Sequence, residues 1–137
     1  RFESRGLGDV YKRQAKSIGA DCILLISEAL TKAEINLFIK IAKEQGLDVL
    51  LEFHNEDEIT KIADVELDVI GINNRNLLTL KTDINHCLHI RDKYSDQLSR
   101  FNIVAESGFS KKSELEMYKT NGIDLFLIGE SLLKGKL

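Results

Sequence analysis

The sequence contains no proline and no tryptophan, and it has only two cysteines among 137 residues. Cys22 and Cys87 lie far apart and outside any Cys-x-x-Cys pattern, so we expect reduced thiols in a core or on a helix face rather than a disulfide. No apolar run approaches the roughly 20 residues that a membrane-spanning helix needs. The net charge of -3 gives no reason to expect binding to nucleic acid or to an anionic membrane. A hydrophobic content of 43% is typical of a globular protein.

Residues 1–14 differ from the rest of the chain. They are rich in arginine, lysine and glycine and show no hydrophobic period. The stretch from Asp9 to Gln14 resembles the translation of an adapter used in sequencing libraries. We therefore expect residues 1–14 to be a non-native leader and residues 15–137 to form the domain, with a native basic lead-in as the alternative.

Five short apolar runs recur along residues 15–137. They occupy residues 22–26, 49–53, 69–72, 101–105 and 125–128. Each run is nearly continuous rather than alternating, which is typical of strands that are covered on both faces. The sequence therefore predicts five buried strands.

Amphipathic helical patterns lie between these runs. Thr31 and Glu34 have the spacing of a capping box at a helix start, and Gly46 stands where a left-handed residue ends a helix. The alternation of strand and helix, without a hairpin turn, predicts βα units and a parallel sheet.

Such a sheet is either open and doubly wound or closed into a barrel. No glycine-rich nucleotide-binding turn follows any strand, which disfavours the common open-sheet folds. Polar residues cluster instead at the carboxyl ends of the last four strands, where a barrel would gather them around one mouth. They are Glu52, Asn73, Arg75, Glu106, Ser107, Gly129, Glu130 and Ser131.

Glu52 is the strongest candidate for chemistry. It lies inside an apolar strand, where partial burial would raise its pKa and suit it to acid–base catalysis. A structural ion pair is the alternative. Glu106, Ser107 and Gly108 follow another strand, and the glycine allows a ligand to approach the backbone closely. A plain strand-to-helix turn is the alternative there.

Gly129 stands where the last strand runs into a short helix. Free N–H groups at a helix N-terminus bind phosphate, so Gly108 and Gly129 are candidate phosphate-binding residues, with an ordinary N-cap as the alternative. The three histidines do not have the spacing of a metal site. We predict no metal and no cofactor.

Three motifs taken together resemble one enzyme family. Residues 71–77 (GINNRNL), 106–108 (ESG) and 128–132 (IGESL) resemble, in order and spacing, the signatures of indole-3-glycerol-phosphate synthase, and residues 51–54 (LEFH) resemble its glutamate-bearing fifth strand. The resemblance implies a (β/α)8 TIM barrel of the ribulose-phosphate-binding type. It also implies closure of a pyrrole ring in 1-(2-carboxyphenylamino)-1-deoxyribulose 5-phosphate, with loss of CO2 and water.

The same resemblance assigns roles to residues. Glu52 would act as general base or stabilise the developing iminium, Asn73 would align the reacting groups, and Arg75 would place positive charge near the substrate carboxylate. Ser107 completes this catalytic set. The residues implied to bind the substrate and its phosphate are Glu106, Gly108, Gly129, Glu130 and Ser131.

The chain departs from the family pattern in its strand count. The family barrel has eight strands, and the five here correspond to the fourth through the eighth. The missing strands would carry the family's catalytic lysines, so we expect a fragment that is inactive alone. Alternatives are a barrel of the phosphoribosylanthranilate isomerase type and a non-catalytic half-barrel that binds sugar phosphates. The resemblance also implies a cytoplasmic protein, with possible fusion to or association with other tryptophan-pathway enzymes.

Overall fold

The computed structural model describes residues 22–128. The predicted leader lies outside these residues. So do Gly129, Glu130 and Ser131, which the sequence places in the predicted phosphate site.

The described residues form one parallel sheet of five strands in sequential order. The strands are β1 (Cys22–Ile26), β2 (Asp48–Phe53), β3 (Val69–Asn73), β4 (Asn102–Glu106) and β5 (Leu125–Leu127). All four neighbouring pairs are parallel. The five predicted strands are confirmed. Because the strand order never reverses, the sheet of residues 22–128 has no switch point of the doubly wound kind, and its order is that of successive units in a (β/α)8 barrel.

Helical segments fill every connection between these strands. They are α1 (Lys32–Glu44), α2 (Ile59–Ile62), α3 (His86–Lys93), α4 (Ser95–Leu98) and α5 (Lys112–Thr120), with single 3-10 turns at Ser27–Ala29 and Glu56–Glu58. Within residues 22–128, none of these helices is long and apolar enough to cross a membrane.

The longest helix, α1, begins and ends where the sequence predicts. The Thr31 hydroxyl accepts a hydrogen bond from the Glu34 N–H at 3.1 Å, and the Glu34 carboxylate accepts one from the Thr31 N–H at 2.9 Å. This reciprocal capping box satisfies two of the N–H groups that a helix start leaves open. Gly46 follows the helix with a φ of +71°, which a residue without Cβ adopts at low cost.

The two faces of the sheet have different cores. One face packs against the helices, and alternate strand residues such as Leu51, Ile70 and Ala105 join helix residues there. The opposite, concave face carries a smaller apolar cluster of strand residues alone: Cys22, Leu24, Leu50, Val69, Val104, Leu125 and Leu127. Cys87 belongs to the helix-side core, so the sheet separates it from Cys22.

The concave face changes character along the strands. Side chains of a strand alternate between faces, so the residue two positions after a concave apolar residue is also concave. By this alternation Leu50 is followed by Glu52 on β2, and Val104 is followed by Glu106 on β4. The concave face is therefore apolar in its middle and acidic at the carboxyl ends of the strands.

The capping box yields a stability test. Replacing Thr31 with alanine should lower the free energy of unfolding by about 1 kcal/mol, because the cap to the Glu34 N–H is lost. Thr31→Ser keeps a hydroxyl in the same place and should stay within a few tenths of a kcal/mol of the parent. Urea unfolding followed by circular dichroism measures both variants. Equal losses in the two would show that the cap contributes nothing.

Candidate functional site

Three buried polar residues meet at the carboxyl ends of β2, β3 and β4. Glu52, Asn73 and Glu106 are only 5%, 7% and 2% exposed. The strand register places Asn73 opposite Glu106, and Gly71 opposite Glu52. All three predicted site residues therefore lie at one edge of the sheet, on its concave side.

Gly71 makes room for one of the carboxylates. A Cβ on Gly71 would lie 1.8 Å from Oε2 of Glu106, 3.0 Å from its Cδ and 3.3 Å from the Cβ of Glu52. Any side chain at position 71 would thus displace the Glu106 carboxylate. The glycine in the middle of β3 is required by this close approach rather than by backbone conformation.

The amide of Asn73 is oriented by bonds at both of its ends. Its Oδ1 accepts a hydrogen bond from the Arg75 N–H at 2.9 Å, which leaves Nδ2 to donate to Oε2 of Glu52 at 3.0 Å. The sequence alone does not decide which end of the amide faces the glutamate. The loop backbone decides the orientation, because the Arg75 N–H bonds Oδ1. Nδ2 then faces Glu52 as a donor suited to its ionised form.

Burial and mutual repulsion shift the proton affinity of both glutamates. Burial is the main cause that raises the pKa of Glu106 well above its usual range, and the neighbouring Glu52 charge raises it further. Burial also raises the pKa of Glu52, while hydrogen bonds from Glu106 and Asn73 oppose that rise. Two carboxylates this close cannot both ionise cheaply, so Glu106 is the more readily protonated of the two and Glu52 the more readily ionised. The site is a pair of buried carboxyl groups with unequal proton affinity, facing the concave side.

The turn after β4 has an unusual backbone. Ser107 has a φ of +74° and Gly108 a φ of +87°. The first value is costly for a residue with a side chain, and such strain is concentrated at functional sites. A Cβ on Gly108 would lie 2.4 Å from Cγ2 of Thr82, so this glycine lies tightly against the preceding loop. Ser107 is half-buried and Gly108 is exposed.

Arg75 lies apart from the buried cluster. Its side chain is exposed, and its backbone forms an antiparallel bridge with Thr82 that closes the loop after β3. This loop also presents Leu78 and Leu80 to solvent. The described residues thus place Arg75 at the rim of the mouth rather than against Glu52.

Asn74 organises the site and was not predicted to do so. Its side chain is fully buried, accepts a hydrogen bond from the Cys87 N–H at 2.8 Å, and donates to the Ser107 carbonyl at 3.1 Å. Its backbone N–H donates to the Glu106 carbonyl at 2.8 Å. Asn74 therefore ties the end of β3 to the end of β4 and to α3. The run of amides in the sequence was a signal for it, but the run does not show which amide points inward.

The three histidines form a stacked pair and one exposed residue. His54 and His86 stack, with ring centroids 4.0 Å apart, while His89 is exposed on the same helix as His86. Residues 22–128 contain no group of three His, Cys, Asp or Glu side chains placed to hold a metal ion.

Known proteins are similar to this chain over most of its length. A family model described as indole-3-glycerol phosphate synthase matches residues 9–136. Relatives named indole-3-glycerol phosphate synthase include one from Petrotoga mobilis, 39% identical over 127 residues that cover 88% of this chain and 49% of the relative. Another, from Aquifex aeolicus, is 38% identical over 123 residues, or 90% of this chain and 48% of the relative. The chain therefore spans about half the length of the curated relatives it matches.

The glutamate pair yields a pH prediction. Because the pKa of Glu106 is raised in the folded state, its contribution to stability is fully present below the ordinary value of 4.5 and is lost as the pH rises through the folded value. Glu106→Gln cannot ionise, so at neutral pH its free energy of unfolding should exceed that of the parent. The gain should be about 1.4 kcal/mol for each unit by which the folded pKa of Glu106 lies above its ordinary value. Glu116→Gln, on the exposed face of α5, is the control. Urea unfolding from pH 4 to 8 measures the slopes, and parallel curves for parent and Glu106→Gln would contradict the assignment.

Proposed function

The chain belongs to the indole-3-glycerol phosphate synthase family, and we propose that it supplies the carboxylate half of that active site. The reaction is closure of the pyrrole ring in 1-(2-carboxyphenylamino)-1-deoxyribulose 5-phosphate, with loss of CO2 and water. The chain spans about half of its relatives. We therefore ascribe turnover to this chain joined with the remaining units of the barrel.

One observation carries this proposal: two buried glutamates meet at the concave mouth, and Asn73 Nδ2 donates a hydrogen bond to one of them, Glu52. Ring closure develops positive charge on the substrate nitrogen as the new carbon–carbon bond forms. A carboxylate fixed in a site of low polarity stabilises such charge far better than water does. Glu52 suits this role, or that of general base, because its bond from Asn73 Nδ2 holds it in place.

The other predicted residues take roles around Glu52. Asn73 aligns Glu52 with the substrate, and Arg75, at the rim of the mouth, contributes positive charge toward the substrate carboxylate. Glu106 and Ser107 contact the substrate from the end of β4. Support for Ser107 comes from its strained backbone, which a turn without function would not need.

We assign the phosphate to the ends of the last two strands. Gly108 is an exposed glycine directly after β4, and a glycine lets a ligand approach the backbone closely. Gly129, Glu130 and Ser131 follow β5 in sequence and complete the proposed phosphate site. In barrels of this type the loops after the last two strands commonly hold the phosphate.

The edges of the sheet support docking of further barrel units. Within residues 22–128, β1 and β5 each pair with one neighbouring strand, so each has an outer edge that no described strand occupies. Helix α1 contacts the following unit through Lys32, which bonds Asp64 at 2.9 Å. On its other side α1 exposes an apolar stripe, consisting of Leu37, Phe38 and Ile41. A preceding βα unit would cover both this stripe and the edge of β1.

The remaining assignments are part of the same proposal. The substrate is a small sugar phosphate, the reaction uses no metal or organic cofactor, and neither nucleic acid nor membrane is a partner. We place the protein in the cytoplasm, in association or fusion with other enzymes of tryptophan biosynthesis. The isomerase alternative needs a cysteine base at a strand end, whereas Cys22 is the first residue of β1.

Turnover tests the role of Glu52. The chain is mixed with the part of the Petrotoga mobilis relative that it does not span, and formation of the product's indole ring is followed by fluorescence. We expect turnover from the mixture and none from the chain alone. Glu52→Gln in the mixture should lower kcat by about 10²–10⁴-fold, because the fixed negative charge is lost. Glu116→Gln is the control and should match the parent. Unaided turnover by the chain, or full activity of Glu52→Gln, would contradict the proposal.

A titration tests the phosphate site. Inorganic phosphate added to the 15N-labelled chain should shift the amide signals of Gly108, Gly129 and Glu130, because their N–H groups would bond the anion. Sodium chloride at equal ionic strength is the control. Shifts centred on His86 and His89 would instead place the anion on the histidine helix and contradict this assignment.

A further inference from the structure

The stacked histidines, His54 and His86, adjoin the residues of the carboxylate site. His54 follows β2, two residues after Glu52, and His86 begins α3. Their rings are nearly parallel, with centroids 4.0 Å apart and an interplanar angle of 19°. Both rings are half-buried, so neither is simply a solvent-facing side chain.

Each ring makes one short bond to a main-chain carbonyl. Nδ1 of His54 lies 2.7 Å from the carbonyl oxygen of Asn73, and Nε2 of His86 lies 2.6 Å from the carbonyl oxygen of His54. A carbonyl oxygen only accepts, so both of these ring nitrogens carry the proton. Burial lowers the pKa of His86 and so favours its neutral form. In that form the bond to the His54 carbonyl fixes the tautomer of the His86 ring.

The bonds form a continuous chain to the catalytic carboxylate. His86 holds the main chain of His54, the His54 ring holds the main chain of Asn73, and Asn73 Nδ2 donates to Glu52 at 3.0 Å. The His54 N–H donates in turn to Glu28 in the turn after β1, at 2.8 Å. Three consecutive strand–helix connections are thus not independent: those after β1, β2 and β3 meet at His54.

We propose that His54 and His86 are positioning residues for this site: as a stacked pair they fix the main chain of Asn73, and so keep its side-chain amide on Glu52. The inference rests on the proposed function for its effect on turnover, although the bond network stands without it. Neither ring contacts the reacting atoms in this role. The nitrogen that bonds differs between the two rings, and this difference provides the test.

Amide side chains distinguish the two nitrogens. Asparagine places its Nδ2 where a histidine has Nδ1, and glutamine places its Nε2 where a histidine has Nε2. His54→Asn should therefore retain the bond to Asn73, whereas His54→Gln should lose it. The order reverses at the second position, where His86→Gln should retain the bond to His54 and His86→Asn should lose it. A role in bulk packing alone would not produce this crossed pattern.

Two readouts follow Glu52 and Asn73 directly in the whole 137-residue chain. Magic-angle-spinning NMR, which does not require a monodisperse sample, reports the Asn73 side-chain amide shift and the titration of the Glu52 carboxyl carbon. In His54→Gln and His86→Asn the Asn73 signal should move and the pKa of Glu52 should rise, because the bond from Asn73 lowers it. His54→Asn and His86→Gln should match the parent.

His89 supplies the matched control. It is exposed on the same helix as His86, so His89→Asn and His89→Gln should leave both NMR readouts unchanged. Equal shifts in the asparagine and glutamine variants at position 54, or no shift in any variant, would overturn the proposal.

Turnover of the mixed barrel gives the third readout. His54→Gln and His86→Asn should lower kcat by about 10–100-fold with little change in KM, because Glu52 is misplaced while substrate contacts remain. The crossed NMR pattern without turnover in the parent mixture would refute the proposed function and leave the positioning role intact. Turnover in the parent with equal kcat in all four variants would refute the positioning role alone.

Discussion

The structure depends on the burial of two carboxyl groups side by side. Taking a charge out of water is costly unless it is paired and hydrogen-bonded, so one buried site can hold only one ionised carboxylate cheaply. Burial raises the pKa of Glu106 and so favours its protonated form, and Asn73 favours the ionised form of Glu52. Gly71 resolves the steric part of the conflict, since only glycine leaves space for the Glu106 side chain. The register of β2, β3 and β4 brings these two carboxyl groups together.

The helix-side core makes that register rigid. Apolar residues of every helix pack against the outward residues of the strands, and the five strands keep one direction and one order. Site residues on such strands are held more precisely than residues on loops. The loops are then tied to the strands by buried side chains: Asn74 joins the ends of β3 and β4, and His54 joins β2 to β3. Strand ends and loops together form one bonded unit at the mouth.

Sequence patterns found the elements but not all of their contacts. Continuous apolar runs predicted all five strands, and the spacing of Thr31 and Glu34 predicted the start of α1, because both signals are local. Asn73 was chosen over Asn74 although Asn74 makes more bonds, since neighbouring amides on a loop look equivalent in sequence. The histidines were judged only for the spacing of a metal site, whereas His54 and His86, 32 residues apart, contact each other across two connections.

The sequence by itself determined the strands, the helices, their parallel arrangement and the polar residues at the strand ends. These follow from periodicity and from the rule that βα units place all strand ends at one edge. Only the tertiary structure decided which glutamate has the higher proton affinity, why position 71 is glycine, and which end of the Asn73 amide faces Glu52. Each of these depends on burial and on distances of a few ångströms between segments remote in sequence. The pattern of a single segment carries no information about what another segment places against it.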